Sequence, residues 1–535
     1  MTNGESYRLR RFVYALLITI AASSAAGRIL YAQLVYEPAI HRSADEPREG
    51  NRRWPNQRPT PMPTFSSNDR SRWCTVRALV ENGTYAIGKR ETVSPASPEG
   101  KSYRDTGIVF EDGWTTVDKV LHPERQLFYS SKPPLLPTLV AGEYWLLHHL
   151  FGMSMVGEKR PDLLVREPAM SVIRICLFTW NLIPFVIYLV LLARLVDRYG
   201  QTDWGRFYVV SAACFGTLVL PFLITFNNHT LATCCALFAL YPVFGLLGSP
   251  SQPTPDPVAS DDQAEKAAEA NELQLAHTSE QVSSSQWRRN GAMPFLLAGF
   301  FASLAAAIEL PAAAFAAALF LILLRQHPGR TLKYFVPAAL IPAIAFFVTN
   351  YLAIGEWKPA YAFFNTPWYQ YEGSHWKPDP AKTGIDFLEE PKTVYAFHLL
   401  FGHHGLFSLT PVFLLSLGGL FLLLKTGQPA GTNAIPRSFA LLTALLLVVV
   451  VGFYIWRTNN YGGWTCGPRW LMWLTPFLLI SLIPAADKLS ACRWGRTLAY
   501  LCLGVSIVSA TYPSVNPWRH PWLYDWMASL GWIQY

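Results

Sequence analysis

Charge is scarce in this chain. Of its 535 residues only 15% are Asp, Glu, Lys or Arg, against 51% hydrophobic and 14% aromatic. The formal net charge of +8 does not point to nucleic acid, because the basic residues are scattered at the ends of apolar runs instead of forming a patch. Cysteine is sparse as well. Eight residues without a CxxC pair do not make a disulfide framework or a thiol zinc site. Cys74 and Cys466 are the two expected outside the bilayer on the same side, so a bridge between them stays open beside the alternative of two buried thiols. The twelve histidines contain no HxxxH or HExxH spacing, so no metal is required, and a divalent ion is not indicated by spacing. No glycine-rich nucleotide loop and no internal repeat occurs.

Long apolar runs are plentiful. Stretches near the roughly 18–20 residues that span a bilayer begin near Phe12, Met170, Phe207, Thr230, Met293, Pro311, Tyr334, Leu406, Ser438, Leu471 and Thr497. The expected fold class is therefore an all-α polytopic membrane protein of about eleven transmembrane helices. The first run follows Arg8, Arg10 and Arg11 and passes through "AASSAAG", which imitates a signal peptide; its apolar character continues to Val35, which favours an uncleaved helix.

The basic residues then decide one ambiguity. "FYSSKPPLLPTLVAGEYWLLHHLFG", Phe128 to Gly152, ends in an apolar run that either crosses the membrane or lies beside it. If it does not cross and the N-terminus is cytoplasmic, one side collects Arg194, Arg198, Arg206, Arg288, Arg289, Arg325, Arg330, Lys333, Lys425, Arg437, Lys488, Arg493 and Arg496. If it crosses, all of them flip. The expectation is an external juxtamembrane helix with Tyr144 and Trp145 at headgroup level.

The resulting organisation is a cytoplasmic end and first helix (1–35), an external loop with juxtamembrane helices (36–169), and helices 2–4 (170–248). A polar cytoplasmic loop expected to be disordered (249–291) leads to helices 5–7 (292–353). An external aromatic loop (354–405), helices 8–11 (406–512) and an external interfacial tail (513–535) complete the chain. In the first loop, "SSNDRSRWCTVRALVENGTYAI" reads as a helix capped by Ser67, Asn68 or Asp69, with Trp73, Val76, Leu79 and Val80 as its apolar stripe and Asn82-Gly83 as its stop. On spacing alone Asp69 is a cap, and Asp105, Asp112 and Asp118 are ordinary loop carboxylates.

An Asp opening a helix that ends in "ENGTY", then "KPPL", then "LFG", resembles the first external loop of the membrane-embedded GT-C glycosyltransferases, within them the protein O-mannosyltransferase and aminoarabinose transferase group. "VIRICLFTWNLIPFVIYLVLLARL" from Val172 resembles that group's next span, which begins with an arginine, here Arg174. The resemblance covers roughly the first 250 residues in order. It implies an active site outside a cell inner (cytoplasmic) membrane and a polyprenyl-phosphate sugar donor; the expected reaction is an inverting transfer to a glycan, lipid or protein acceptor. It also implies Asp69 as base and Lys132 on the lipid phosphate. Two departures stand out: Arg70 where the family commonly has a second acid, and "FNNHT" where a later span often starts with Asp. His229, with Asn228 beside it, is the candidate substitute.

The chemistry supports the same reading. Transfer from a lipid phosphate needs a base for the acceptor hydroxyl and cations for the departing phosphate. "NNYGGWTCGPRWLMW" places a glycine-rich turn and Arg469 at the outer start of a span, which suits phosphate, although Arg and Trp also anchor helices at that depth. Trp368 and Tyr369 offer sugar-stacking faces, or belong to an aromatic belt. Glu309 is expected at a turn open to water, in a structural role. The rival function is a lipid or polysaccharide transporter, which calls for polar mid-membrane residues and broken helices that these apolar runs lack.

Overall fold

A computed structural model describes residues 3–32, 62, 64–93, 102–111, 113–156, 168–247, 291–378, 385–387, 389–425 and 434–534. The polar loop of 249–290, the proline-rich linker and Asp112 lie outside them. We label α1 (Asn3–Tyr31), α2 (Ser67–Glu81), β1 (Gly88–Thr92), β2 (Tyr103–Thr106), β3 (Lys119–Leu121), β4 (Leu127–Ser130) and α3 (Leu135–Phe151). Then follow α4 (Ala169–Tyr199), α5 (Asp203–Phe222), α6 (Asn228–Leu246), α7 (Met293–Ile308), α8 (Leu310–Gln326) and α9 (Pro328–Ile354). The chain closes with α10 (Lys392–Leu400), α11 (Val412–Lys425), α12 (Arg437–Arg457), α13 (Arg469–Ser490), α14 (Arg493–Thr511) and α15 (Trp522–Ser529).

Among the described residues, seven helices are long and apolar enough to cross a membrane: the one at Tyr7–Tyr31, α4, α5, α6, α9, α12 and α13. Shorter apolar helices stand at α7, α8 and α11. The apolar run near Thr497 forms the 19-residue α14. Side chains facing outward, such as Leu340, Ile341, Ile344 and Val448, are apolar and exposed, as a lipid-facing surface requires.

The bundle packs through small residues. On α11 a Cβ at Gly419 would overlap the Ser481 carbonyl of α13, and on α7 a Cβ at Gly299 would overlap the Phe335 carbonyl of α9. Gly418, one residue from Gly419, faces open space. Gly419→Ala is therefore expected to destabilise by roughly 1–3 kcal/mol through forced separation of α11 and α13. Gly418→Ala should be neutral or slightly stabilising, as helix propensity dictates. Thermal unfolding of the two variants in the same detergent checks this; equal midpoints would refute the close approach.

The all-α expectation needs one correction. Residues 88–130 contain a four-stranded antiparallel sheet of order β2-β1-β4-β3. Its pairings include Arg90 with Asp105 and Val120 with Tyr129. Short charged strands such as "GKRET" carry no apolar alternation, so they read as loop. The sheet packs through Val120 and Tyr129 against Ala353, Ile354, Ala360, Trp368 and Tyr369.

α3 is 17 residues long, about 26 Å, and stops at Gly152 with φ +64°. Trp145 is half exposed. Tyr144 is fully buried and its hydroxyl donates to Glu81 of α2 at 2.8 Å.

Candidate active site

α2 begins one residue earlier than its sequence suggests. Ser66, not Asp69, is the N-cap, and Asp69 occupies the third helical position of a capping box. Its Oδ1 accepts the Ser66 N–H at 2.8 Å and its Oδ2 the Phe65 N–H at 3.3 Å. Asp69 is buried and lines a narrow crevice with Ile29 of α1, Trp73, and Arg174 and Leu177 of α4. Burial pushes its carboxyl up to about 6, against the Ser66 N–H, the Arg70 charge and the Phe65 N–H. Arg70 is structural: fully buried, it donates to the carbonyls of Thr115 at 2.6 Å and Thr64 at 3.3 Å. The apolar stripe is likewise a simplification, since Arg70, Arg72 and Arg77 are buried along with Trp73 and Val76.

One turn beyond Asp69, Arg72 leaves the helix toward the bundle. It donates to the Asn68 carbonyl at 2.9 Å and to Asn228 Oδ1 at 2.6 Å. Asn227 caps α6 by accepting the Thr230 N–H at 2.9 Å, which turns Asn228 and His229 inward from the first turn. Asn228 donates to the Ile308 carbonyl at 3.1 Å and to Glu309 at 2.5 Å. His229 Nδ1 sits 2.7 Å from the same Glu309 oxygen. Arg469 donates to His229 Nε2 at 3.2 Å and to the Gly462 carbonyl at 2.9 Å. Since Nε2 accepts from a guanidinium, the network assigns the imidazole proton to Nδ1, facing Glu309. Glu309 is thus not a water-exposed turn residue; it is buried and holds α6 and α7 together.

Lys132 follows β4. Its Nζ pairs with Asp118 Oδ1 at 2.7 Å, and the Ser131 hydroxyl donates to the same oxygen at 3.2 Å. It lines a second crevice with Thr75, Tyr129, Asn350 and Ile354. Burial lowers the Lys132 ammonium, and Arg72 and Arg469 push the same way against Asp118. Burial raises Asp118, yet Lys132, Arg469 and Arg72 together hold it below the ordinary aspartate value. Lys132 touches Asp118 directly, and the charges of Arg72 and Arg469 act on it through space. Arg469 also lies in the fields of Glu309 and Asp386. Its Nε is buried with no hydrogen-bond partner, and its guanidinium lies 4.8 Å from the Trp518 ring centre.

The turn before Arg469 depends on glycine. Gly462 and Gly463 have φ +97° and +72°, and a Cβ at Gly463 would come within 2.7 Å of Asp386 Oδ1.

Of the residues singled out in sequence, Lys132, Arg469, His229 and Asn228 meet around this cluster, and Asp69 stands one helical turn away in a separate crevice. Trp368 and Tyr369 do not present open faces. Both are buried, Trp368 stacking on Phe363 at 4.9 Å and Tyr369 raised in pKa by burial and then by Asp118. Asp105 is committed to Arg90 through two 2.8 Å bonds. Arg72 and Asp386 were missed. The Arg72 signal is its position three residues after Asp69; Asp386 carries none in sequence. Cys74 and Cys466 are free and buried, without a bridge.

No protein-family model matches the chain, and no curated protein matches it. Among solved structures it is similar to the oligosaccharyltransferase of Archaeoglobus fulgidus in its apo form, with TM-score 0.40 and 11% identity, covering 97% of this chain and 57% of that one. The archaeal AglB complex with an inhibitory peptide and a dolichol-phosphate gives 0.39 and 11%, covering 98% and 58%. The complex with Zn and sulfate gives 0.39 and 12%, covering 96% and 55%. The chain spans somewhat over half the length of these enzymes, and TM-scores this low do not establish a common fold.

Proposed function

We propose that the protein is a GT-C-type integral membrane glycosyltransferase that takes its sugar from a polyprenyl-phosphate donor and passes it to an acceptor on the external face of the membrane. The observation that carries this reading is that Arg72 of α2, Lys132 after β4 and Arg469 at the start of α13 all act on the charge of Asp118. Three cations around one site suit a phosphate monoester or diester, and an apolar bundle beside them suits its lipid.

In the reaction a carboxylate takes the proton of the acceptor hydroxyl, whose oxygen attacks the anomeric carbon. The bond to the phosphate oxygen breaks, and the lipid phosphate leaves with the electron pair. Base and leaving group stand on opposite faces of the sugar, so the product is inverted. Asp69 is a better base than Asp118. A carboxyl held near 6 is a stronger base than Asp118, which the cations keep below its ordinary value. Asp118 serves instead as the resting counter-ion of Lys132. His229 and Glu309 position Arg469.

The first test is binding. Purified protein should bind undecaprenyl phosphate in detergent, Arg469→Ala should bind it markedly less, and an absence of binding in the unaltered protein would end the proposal. The sugar follows from assays with the polyprenyl-phosphate-sugar fraction of native membranes.

Topology is tested separately. We place the N-terminus and the 249–291 loop in the cytoplasm, on the basic-residue distribution. In intact cells Ser260→Cys should resist an impermeant thiol reagent and react after permeabilisation. Labelling before permeabilisation would invert the assignment and force Leu135–Gly152 across the membrane.

A further inference from the structure

A second cluster lies apart from the cations. Glu390, before α10, His398, in its last turn, and His403, in the turn that follows, each offer a ligand atom, all within 4.8 Å of one another. The two histidines are buried and their rings stack with centroids 4.1 Å apart. Gly402 makes this approach feasible, since a Cβ there would collide with the His398 imidazole.

The surroundings have the second layer that metal centres use. His403 Nδ1 and His404 Nδ1 lie 2.5 Å apart, so one ring donates to the other and fixes its orientation. The Tyr461 hydroxyl donates to Glu390. Tyr461 also stacks on His404 with centroids 5.0 Å apart. Two nitrogens in the cluster, His398 Nδ1 and His404 Nε2, are buried without a hydrogen-bond partner. Buried imidazole nitrogens are normally satisfied, and aromatic packing alone does not require histidine at these positions.

We propose that Glu390, His398 and His403 bind one divalent transition-metal ion of the zinc class. Two imidazoles and a carboxylate are a known donor set for that ion, with bonds of about 2.0–2.2 Å. Glu390 is half-buried, so its side chain has room to rotate inward and close the remaining distance. The ion fastens the turn after α10 to Tyr461, and Tyr461 is followed by the Gly462-Gly463 turn whose carbonyl receives Arg469. Its role is to hold the Arg469 loop, not to touch substrate. The metal assignment is independent of the glycosyltransferase reading; the effect on donor binding rests on it.

The test uses full-length protein purified with a tag free of histidine, stripped by chelator and titrated with Co2+. The expected result is about one ion per chain with a visible d–d band, displaced by Zn2+, and nitrogen scattering from imidazole in X-ray absorption at the zinc edge. His398→Gln combined with His403→Gln should abolish uptake, while His149→Gln should leave it unchanged. No uptake by the unaltered protein overturns the site, whether or not the variants fold. Uptake that survives the double substitution overturns it too. If the ion binds as expected but its removal leaves undecaprenyl phosphate affinity unchanged, the holding role fails while the site stands. Failure of the unaltered, metal-loaded protein to bind undecaprenyl phosphate counts against the glycosyltransferase reading alone.

Discussion

Asp69→Asn should yield a protein that inserts, binds donor and is more stable than the parent at neutral pH, yet transfers sugar about 10²–10⁴ times more slowly. Each part of this result has its own cause. Asn can still accept the Ser66 N–H, so the capping box survives in outline. The stability gain comes from the raised carboxyl. Because burial moves Asp69 from 3.8 to about 6, the native state holds a proton that the unfolded chain gives up between those values. Stability from this group is complete below about pH 4 and is lost as pH rises through 6, up to about 3 kcal/mol. Asn removes that loss, so the advantage of the variant should appear above pH 6 and vanish below 4. Activity runs the opposite way: kcat/KM of the parent should fall as pH drops through about 6, when the base becomes protonated. Measured by transfer assays and by thermal unfolding across pH, near-normal transfer by Asp69→Asn would remove Asp69 as base and leave Asp118 as the next candidate.

The second large effect concerns the cations. Lys132→Ala and Arg469→Ala should each weaken binding of undecaprenyl phosphate by about 1–3 kcal/mol. The double variant should lose less than the sum, because both charges act on one ligand and both act on Asp118. Lys132→Ala has an added consequence. Asp118 stays buried and turns its full charge on Arg72 and Arg469, so the remaining cations are less available to phosphate. A double-mutant cycle by equilibrium binding measures the coupling, and strictly additive losses would show two independent anchors instead of one clamp.

Much of this architecture is legible in the chain. Apolar runs near Phe12, Met170 and Ser438 become long helices because length and hydropathy alone decide such elements. Asn82-Gly83 ends α2 as turn chemistry requires, with Gly83 at φ +63°. The sheet was hidden because its strands are held by cross-strand pairs such as Arg90 with Asp105, which no local pattern announces. Lys132 and Arg469 were found by residue type and spacing to proline or glycine. The role of Asp118, which pairs with Lys132 and feels the charge of Arg469, was not, since it is 14 residues from one and far from the other in sequence. His398 and His403 escaped for another reason: their spacing straddles a helix end, where neither helical nor turn periodicity applies.

The pairing of Lys132 with Asp118 bears on turnover. A pocket of bare cations would retain the dianionic lipid phosphate that each reaction leaves behind, and the enzyme would stall on its own product. Asp118, 2.7 Å from Lys132, is a tethered rival for that ammonium. It is always present at the same effective concentration, whereas the donor must diffuse in with its sugar attached. On the proposed chemistry the loss of sugar contacts tips this competition back to Asp118, so the resting ion pair works as a built-in ejector of spent carrier.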